Sequence, residues 1–304
     1  MMQRDCDRGD SSEPRPVSFS GHNGVTIAGD AYGDPGAPPA IFLPGGGQTR
    51  HAWGGAAQTL AADGWYALSL DLRGHGDSSW APDGDYSLEA FVGDLCSVVA
   101  QLDRRPAVVG ASLGGITALL TAGEVEGPPT SAIVLVDIVP RMEKDGVDRI
   151  VTFMRAHMEG FASLEAAADA VAAYIPHRPR PADLSGLAKN LRRGNDGRYR
   201  WHWDPEFVTG TQRPNGSQNP ERLLAAARRL TVPTLLVRGR MSDVISEAGA
   251  REFLAAVPHA RYVDVSGAGH MVAGDRNDIF AQAVTDFLHA LPPDEPATRC
   301  RRGE

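Results

Sequence analysis

One uncharged stretch of 18 residues, Pro106 to Gly123, constrains this chain more than any other feature. It opens on the apolar run Val108-Val109, passes through Gly110-Ala-Ser112-Leu-Gly114-Gly115, and continues as an Ala/Leu-rich helical pattern. Its glycines, with Ser112, Thr117 and Thr121, suit a buried strand, a sharp turn and a helix better than a membrane span. A nucleophile exposed at such a turn has a strained backbone and close neighbours, so glycines must flank it. The helix opening behind it presents a positive dipole end and free N–H groups to a developing oxyanion. Ser112 is the candidate nucleophile. The competing reading is a small-residue helix start at a tight packing contact.

Other apolar runs recur along the chain. Val17–Ser20 and Val25–Ala28 flank Asn23-Gly24, a hairpin signal. Ala40–Leu43, Ala67–Leu70, Ala132–Val136, Thr234–Val237 and Arg261–Val265 follow, with helical patterns near 51–63, 87–102, 113–123, 246–256 and 276–290. Most runs are solidly apolar rather than alternating, as strands of a parallel sheet covered on both faces should be. The expected fold class is α/β, a mostly parallel, doubly wound sheet with right-handed crossovers.

The alternation fails between Pro140 and Leu230, where helical patterns at 143–158, 163–174, 182–193 and 220–229 are joined by Pro-rich links such as Pro176–Pro181. This stretch holds 15 Lys and Arg against 11 Asp and Glu, whereas the whole chain has a net charge of −8. A change of periodicity and of charge together predicts a helical cap over 140–230, inserted after the sixth strand. The core is then 17–139 and 231–291, with residues 1–16 and 292–304 expected to be disordered tails.

The chain is acidic and has no long basic block, so nucleic acid and anionic membrane surfaces are poor partners. The Arg/Lys run from Arg178 to Arg200 reads as a solvated helix face. Three cysteines, Cys6, Cys96 and Cys300, make no disulfide framework and no zinc spacing. No apolar signal region opens the chain, so a cytoplasmic protein is expected, with homo-oligomerisation left open.

A serine nucleophile needs a base, and the base an orienting acid. Val237-Arg-Gly-Arg-Met-Ser-Asp243 carries an acid in the loop after one strand, and Val265-Ser-Gly-Ala-Gly-His270 carries a His after the last. Both lie at carboxyl ends of parallel strands, the edge where Ser112 sits. Asp137, at the end of the sixth strand, is the weaker candidate for the acid. Arg73 and His75 read as turn and salt-bridge residues, and His51 as packing or capping. Tyr199-Arg-Trp201-His202-Trp203-Asp-Pro-Glu-Phe207 is unusually aromatic. Trp201 and Trp203 are candidates for a substrate-pocket wall, against a role in anchoring the cap.

Leu43-Pro-Gly-Gly-Gly47, Asp71-Leu-Arg-Gly-His-Gly-Asp-Ser78, Gly110–Gly114, the Asp243 loop and Gly269-His270 together resemble the α/β-hydrolase fold family over nearly all of 17–291. The flavour is that of esterases and lactonases, meta-cleavage-product hydrolases and cofactor-free haloperoxidases. The resemblance implies a Ser112–Asp243–His270 triad and an oxyanion hole made by the Gly46 and Leu113 N–H groups. It implies a small-molecule ester, thioester or lactone as substrate, and no metal or organic cofactor. C–C bond hydrolysis or perhydrolysis would use the same triad. A barely catalytic small-molecule receptor is the rival of another class, marked by slow turnover and stoichiometric binding. Pro44 stands where the family usually has a His that braces the oxyanion loop.

Overall fold

The computed structural model describes residues 13–174, 180, 182–215, 219–270 and 277–291. Eight strands form one sheet: β1 (Arg15–Ser20), β2 (Thr26–Tyr32), β3 (Pro39–Leu43), β4 (Tyr66–Leu70), β5 (Ala107–Ala111), β6 (Ala132–Val136), β9 (Thr234–Gly239) and β10 (Arg261–Val265). Their spatial order is β1-β2-β4-β3-β5-β6-β9-β10. Every neighbouring pair from β4 to β10 is parallel, and the β1–β2 and β2–β4 pairs are antiparallel. β1 starts at Arg15, so the tail expected to run to residue 16 ends earlier; residues 1–12 and 292–304 lie outside the described residues.

Side chains alternate between sheet faces with period two, and in the central strands both faces are buried. Ile41, Leu43, Leu68, Val108, Ile133, Leu135 and Leu236 enter one core, with helices α2 (Leu88–Val99), α3 (Leu113–Glu124), α8 (Pro220–Arg228) and α9 (Glu247–Ala256). Ala40, Phe42, Val109, Val134, Val136, Leu235 and Val237 enter the other, with α1 (Gly54–Ala62) and α10 (Ala281–His289). That is why the central runs are solidly apolar. Ser87 and Ser246 start α2 and α9 by accepting hydrogen bonds from the Ala90 and Gly249 N–H groups.

The insertion contains α4 (Lys144–Ala156), α5 (Leu164–Tyr174), α6 (Ser185–Ala188), β7 (Leu191–Arg193), β8 (Tyr199–Trp201) and α7 (Glu206–Thr209). It is not wholly helical. The helix expected over 182–193 shrinks to α6, because Leu191–Arg193 pairs antiparallel with Tyr199–Trp201. α8 is a core-layer helix: a Cβ on Gly123 of α3 would lie 2.3 Å from the Ala226 carbonyl oxygen. Most of the Pro176–Pro181 link lies outside the described residues. Among the described residues no helix is long and apolar enough to cross a membrane.

Candidate active site

Ser112 sits between β5 and α3 with φ 47° and ψ −114°, backbone that a side chain adopts only at a cost of about 1–3 kcal/mol. Its N–H donates to the Val136 carbonyl at 3.1 Å, tying the turn to β6. Two glycines let the turn close. A Cβ on Gly110 would lie 2.3 Å from the Gly114 oxygen, and one on Gly114 would lie 2.6 Å from the Leu43 oxygen. The elbow expected from the sequence is present, pressed against the end of β3.

The acid beside His270 is Asp137. His270 Nδ1–H donates to Asp137 Oδ2 at 2.7 Å, and the side chains are 6% and 0% exposed. The Ser242 hydroxyl donates to the same oxygen at 2.7 Å, and the Gly239 N–H donates to Oδ1 at 3.1 Å. Three donors from three directions fix this carboxylate in place. With Nδ1 carrying the hydrogen, His270 Nε2 is left as the acceptor, and Ser112 and His270 line one cavity.

Asp243, the expected acid, is therefore corrected: it forms an ion pair with Arg149 of α4. β6 and β9 are parallel neighbours, so both acids reach the same sheet edge and strand order alone does not separate them. A signal was available. Asp137 is the only charged residue between Ala132 and Pro140, whereas Asp243 follows Arg238 and Arg240 in a polar loop. A lone carboxylate inside an apolar run is rarely buried without a partner.

Gly46 and Leu113 both line the cavity beside Ser112. Among the described residues, no protein acceptor takes up the Gly46 N–H, and Leu113 opens α3, where an N–H has no intrahelical acceptor. The loop that carries Gly46 is braced without the missing His. The Gly45 N–H donates to Gln48 Oε1 at 2.9 Å, and the Gly47 N–H donates to His75 Nε2 at 3.0 Å. Sequence reasoning missed Gln48 and underrated His75. Arg73 behaves as expected, forming an ion pair with Asp94.

The cavity encloses about 320 Å³. One wall is the sheet edge that carries Ser112 and His270, and the other is the insertion, through Phe153, Met154, Trp203, Phe207 and the charged Asp148 and Arg155. Trp203 and Trp201 stack with ring centroids 4.9 Å apart and planes 10° apart, but only Trp203 lines the cavity. Trp201 packs behind it, edge-on to Phe161 at 5.3 Å. Of the two residues expected at a pocket wall, Trp203 alone lines this cavity. Trp203→Ala should shift the preferred acyl length in a p-nitrophenyl ester series. Trp201→Ala should leave that profile unchanged and cost about 3–5 kcal/mol in a denaturation experiment.

The insertion docks on the Asp71–Ser78 loop. The Asp204 N–H donates to the Gly74 carbonyl at 2.8 Å, Tyr86 Oη–H donates to Asp204 Oδ2 at 2.6 Å, and the Gly76 N–H donates to His202 Nδ1 at 2.7 Å. Burial pushes His75 down to about 4, and burial followed by the neighbouring His75 pushes His202 well below the usual range. Among the described residues no group of three or more His, Cys, Asp or Glu gathers as ion ligands would.

The family model described as alpha/beta hydrolase fold matches residues 38–276. Esterase Rv0045c of Mycobacterium tuberculosis is 33% identical over 260 residues, covering 83% of each chain. The 3-hydroxybutyrate-oligomer hydrolase of Cupriavidus necator is 26% identical over 258 residues, covering 79% of this chain and 85% of its own. A crystal structure of an alpha/beta hydrolase from Novosphingobium aromaticivorans superposes with a TM-score of 0.77 at 26% identity, covering 92% of this chain and 99% of the other.

Proposed function

This chain belongs to the alpha/beta hydrolase fold family and is an enzyme, and we propose that it is a serine hydrolase cleaving a small carboxylic ester, thioester or lactone through an acyl-enzyme. The observation that carries the reading is the 2.7 Å bond from His270 Nδ1 to the fully buried Asp137, in a cavity that Ser112 also lines. Ser112 Oγ attacks the acyl carbon while His270 Nε2 takes its proton. Asp137 holds the ring in the required tautomer and offsets the imidazolium charge. The carbonyl oxygen, now an oxyanion, accepts from the Gly46 and Leu113 N–H groups, an arrangement worth about 2.7–4 kcal/mol per donor in comparable sites. His270 then protonates the leaving alcohol or thiol, and water, deprotonated in turn by His270, releases the acid. The insertion wall is mainly apolar, with Asp148, Arg155 and Arg213 among its lining, which favours an acyl group with a substantial apolar part. Two similar proteins, named esterase and oligomer hydrolase, lend support.

The test is a fluorophosphonate probe followed by peptide mass spectrometry. The adduct should fall on Ser112, and Ser112→Ala should abolish both labelling and p-nitrophenyl ester turnover. Labelling that persists in Ser112→Ala would overturn the reading.

A further inference from the structure

Two buried histidines from different parts of the fold meet at Gly47. This glycine has φ +81° and follows the oxyanion donor Gly46. Its N–H donates to Nε2 of His75, in the loop after β4, at 3.0 Å. Its carbonyl faces Nε2 of His202, in the insertion, at 3.2 Å. On the other side of Gly46, the Gly45 N–H donates to Gln48 Oε1 at 2.9 Å, and the Gln48 N–H donates to the Gly45 carbonyl at 3.0 Å. The polar backbone groups of both residues flanking Gly46 are therefore held, leaving its N–H aimed by its neighbours.

The two rings must be in opposite tautomers. His75 Nδ1 lies 2.9 Å from the Arg73 carbonyl and must donate to it, so its Nε2 is bare and accepts from Gly47. His202 Nδ1 accepts from the Gly76 N–H at 2.7 Å, so its Nε2 carries the hydrogen and donates to Gly47. Each ring accepts an N–H on a bare nitrogen, so each must be neutral. Burial favours the neutral form of both rings and at His75 outweighs the Asp204 carboxylate, which alone would favour a charged ring. Around His75 stand the Phe207 ring at 4.5 Å, the His202 ring at 5.6 Å and the Asp204 carboxylate. Around His202 stand His75, Arg192 and His51, all of which disfavour a second cation. Packing alone would be served by two apolar side chains, without the cost of burying imidazole nitrogens. What the imidazoles add is a donor and an acceptor for one residue of the oxyanion loop, where the Pro44 side chain supplies neither.

We propose that His75 and His202 are positioning residues for the oxyanion donor Gly46, and that His202 makes the donor's placement depend on a docked insertion. This rests on the serine-hydrolase reading above. The effect is on the transition state, because a substrate carbonyl needs these donors less than an oxyanion does.

The test uses the full chain and four variants: His75→Leu, His202→Leu, His75→Gln and His202→Gln. Three quantities are read: kcat, KM with a p-nitrophenyl ester, and inhibition by an alkyl trifluoromethyl ketone, whose Ser112 adduct carries an oxyanion. The Leu variants should lose about 10–100-fold in kcat with KM little changed, and ketone affinity should fall in parallel. The Gln variants, which can still donate or accept, should recover most of that loss. Folded Leu variants with wild-type kcat and ketone affinity would overturn the proposal. Imidazole ¹⁵N NMR of the wild type reads the clamp without turnover or substitution. Nδ1–H on His75 and Nε2–H on His202 near neutral pH are expected, and a protonated ring or the opposite tautomer at either position overturns it. Wild-type turnover independent of Ser112 would instead defeat the hydrolase reading, and the tautomers would still decide whether the clamp exists.

Discussion

Asp137→Asn is expected to lower kcat about 10⁴-fold, the scale found when a triad acid is made an amide. The carboxylate receives the His270 Nδ1–H at 2.7 Å, and the Ser242 hydroxyl and Gly239 N–H fix it from other directions. An Asn that keeps its carbonyl toward the Gly239 N–H puts its NH₂ in the place of Oδ2, against both Nδ1 and the Ser242 hydroxyl. His270 then takes the other tautomer, and Nε2 carries a hydrogen where it should accept one. Asp243→Asn removes only the ion pair to Arg149, whose partners are 56% and 36% exposed. It should change kcat by no more than about fivefold, since exposed pairs contribute little. Steady-state kinetics on the two variants checks the pair of expectations. A severe loss in Asp243→Asn with near-normal Asp137→Asn would return the acid role to Asp243.

Much of the architecture is written locally. The β5–Ser112–α3 turn needs glycines that the sequence supplies, and strands buried on both faces need solid apolar runs. Ser112, His270, Gly46 and Leu113 lie where motif position puts them, all lining one cavity. What chain order hides is lateral placement. Asp137 and Asp243 follow adjacent parallel strands at one sheet edge, so strand order does not separate them, and it is the approach of His270 across that edge that selects Asp137. The β7–β8 pair was hidden for a related reason. Leu191–Arg193 and Tyr199–Trp201 are three residues each and too polar to show period two. His75 and His202 are far apart in sequence, so their common hold on Gly47 exists only once the insertion has docked.

Asp94→Ala should cost about 3–5 kcal/mol, the scale for stranding one partner of a buried ion pair. The Arg73 side chain is fully buried; its Nε donates to Asp94 Oδ2 at 2.6 Å and its Nη2 to Oδ1 at 2.7 Å. Asp94 also accepts from the His22 N–H at 2.7 Å, stitching the β1–β2 turn onto α2. Without the carboxylate, a guanidinium that cannot lose its charge remains in the core, satisfied only by the Asp85 and His22 carbonyls. Thermal unfolding should move down by roughly 5–8 °C for a chain of this size. Arg73→Met combined with Asp94→Leu should regain part of the loss, because both charges then leave together. An Asp94→Ala melting point within about 2 °C of wild type would show that the pair is better hydrated than its burial implies.

Asp137 and His270 are separated by 133 positions in the chain. A nascent chain emerging from the ribosome therefore exposes nucleophile, oxyanion loop and acid long before the base exists. Closing so long a loop carries an entropic cost that the final strand and its helix must offset late in folding. On the serine-hydrolase reading proposed above, a chain truncated before His270 should therefore show no ester turnover, which a p-nitrophenyl ester assay would check.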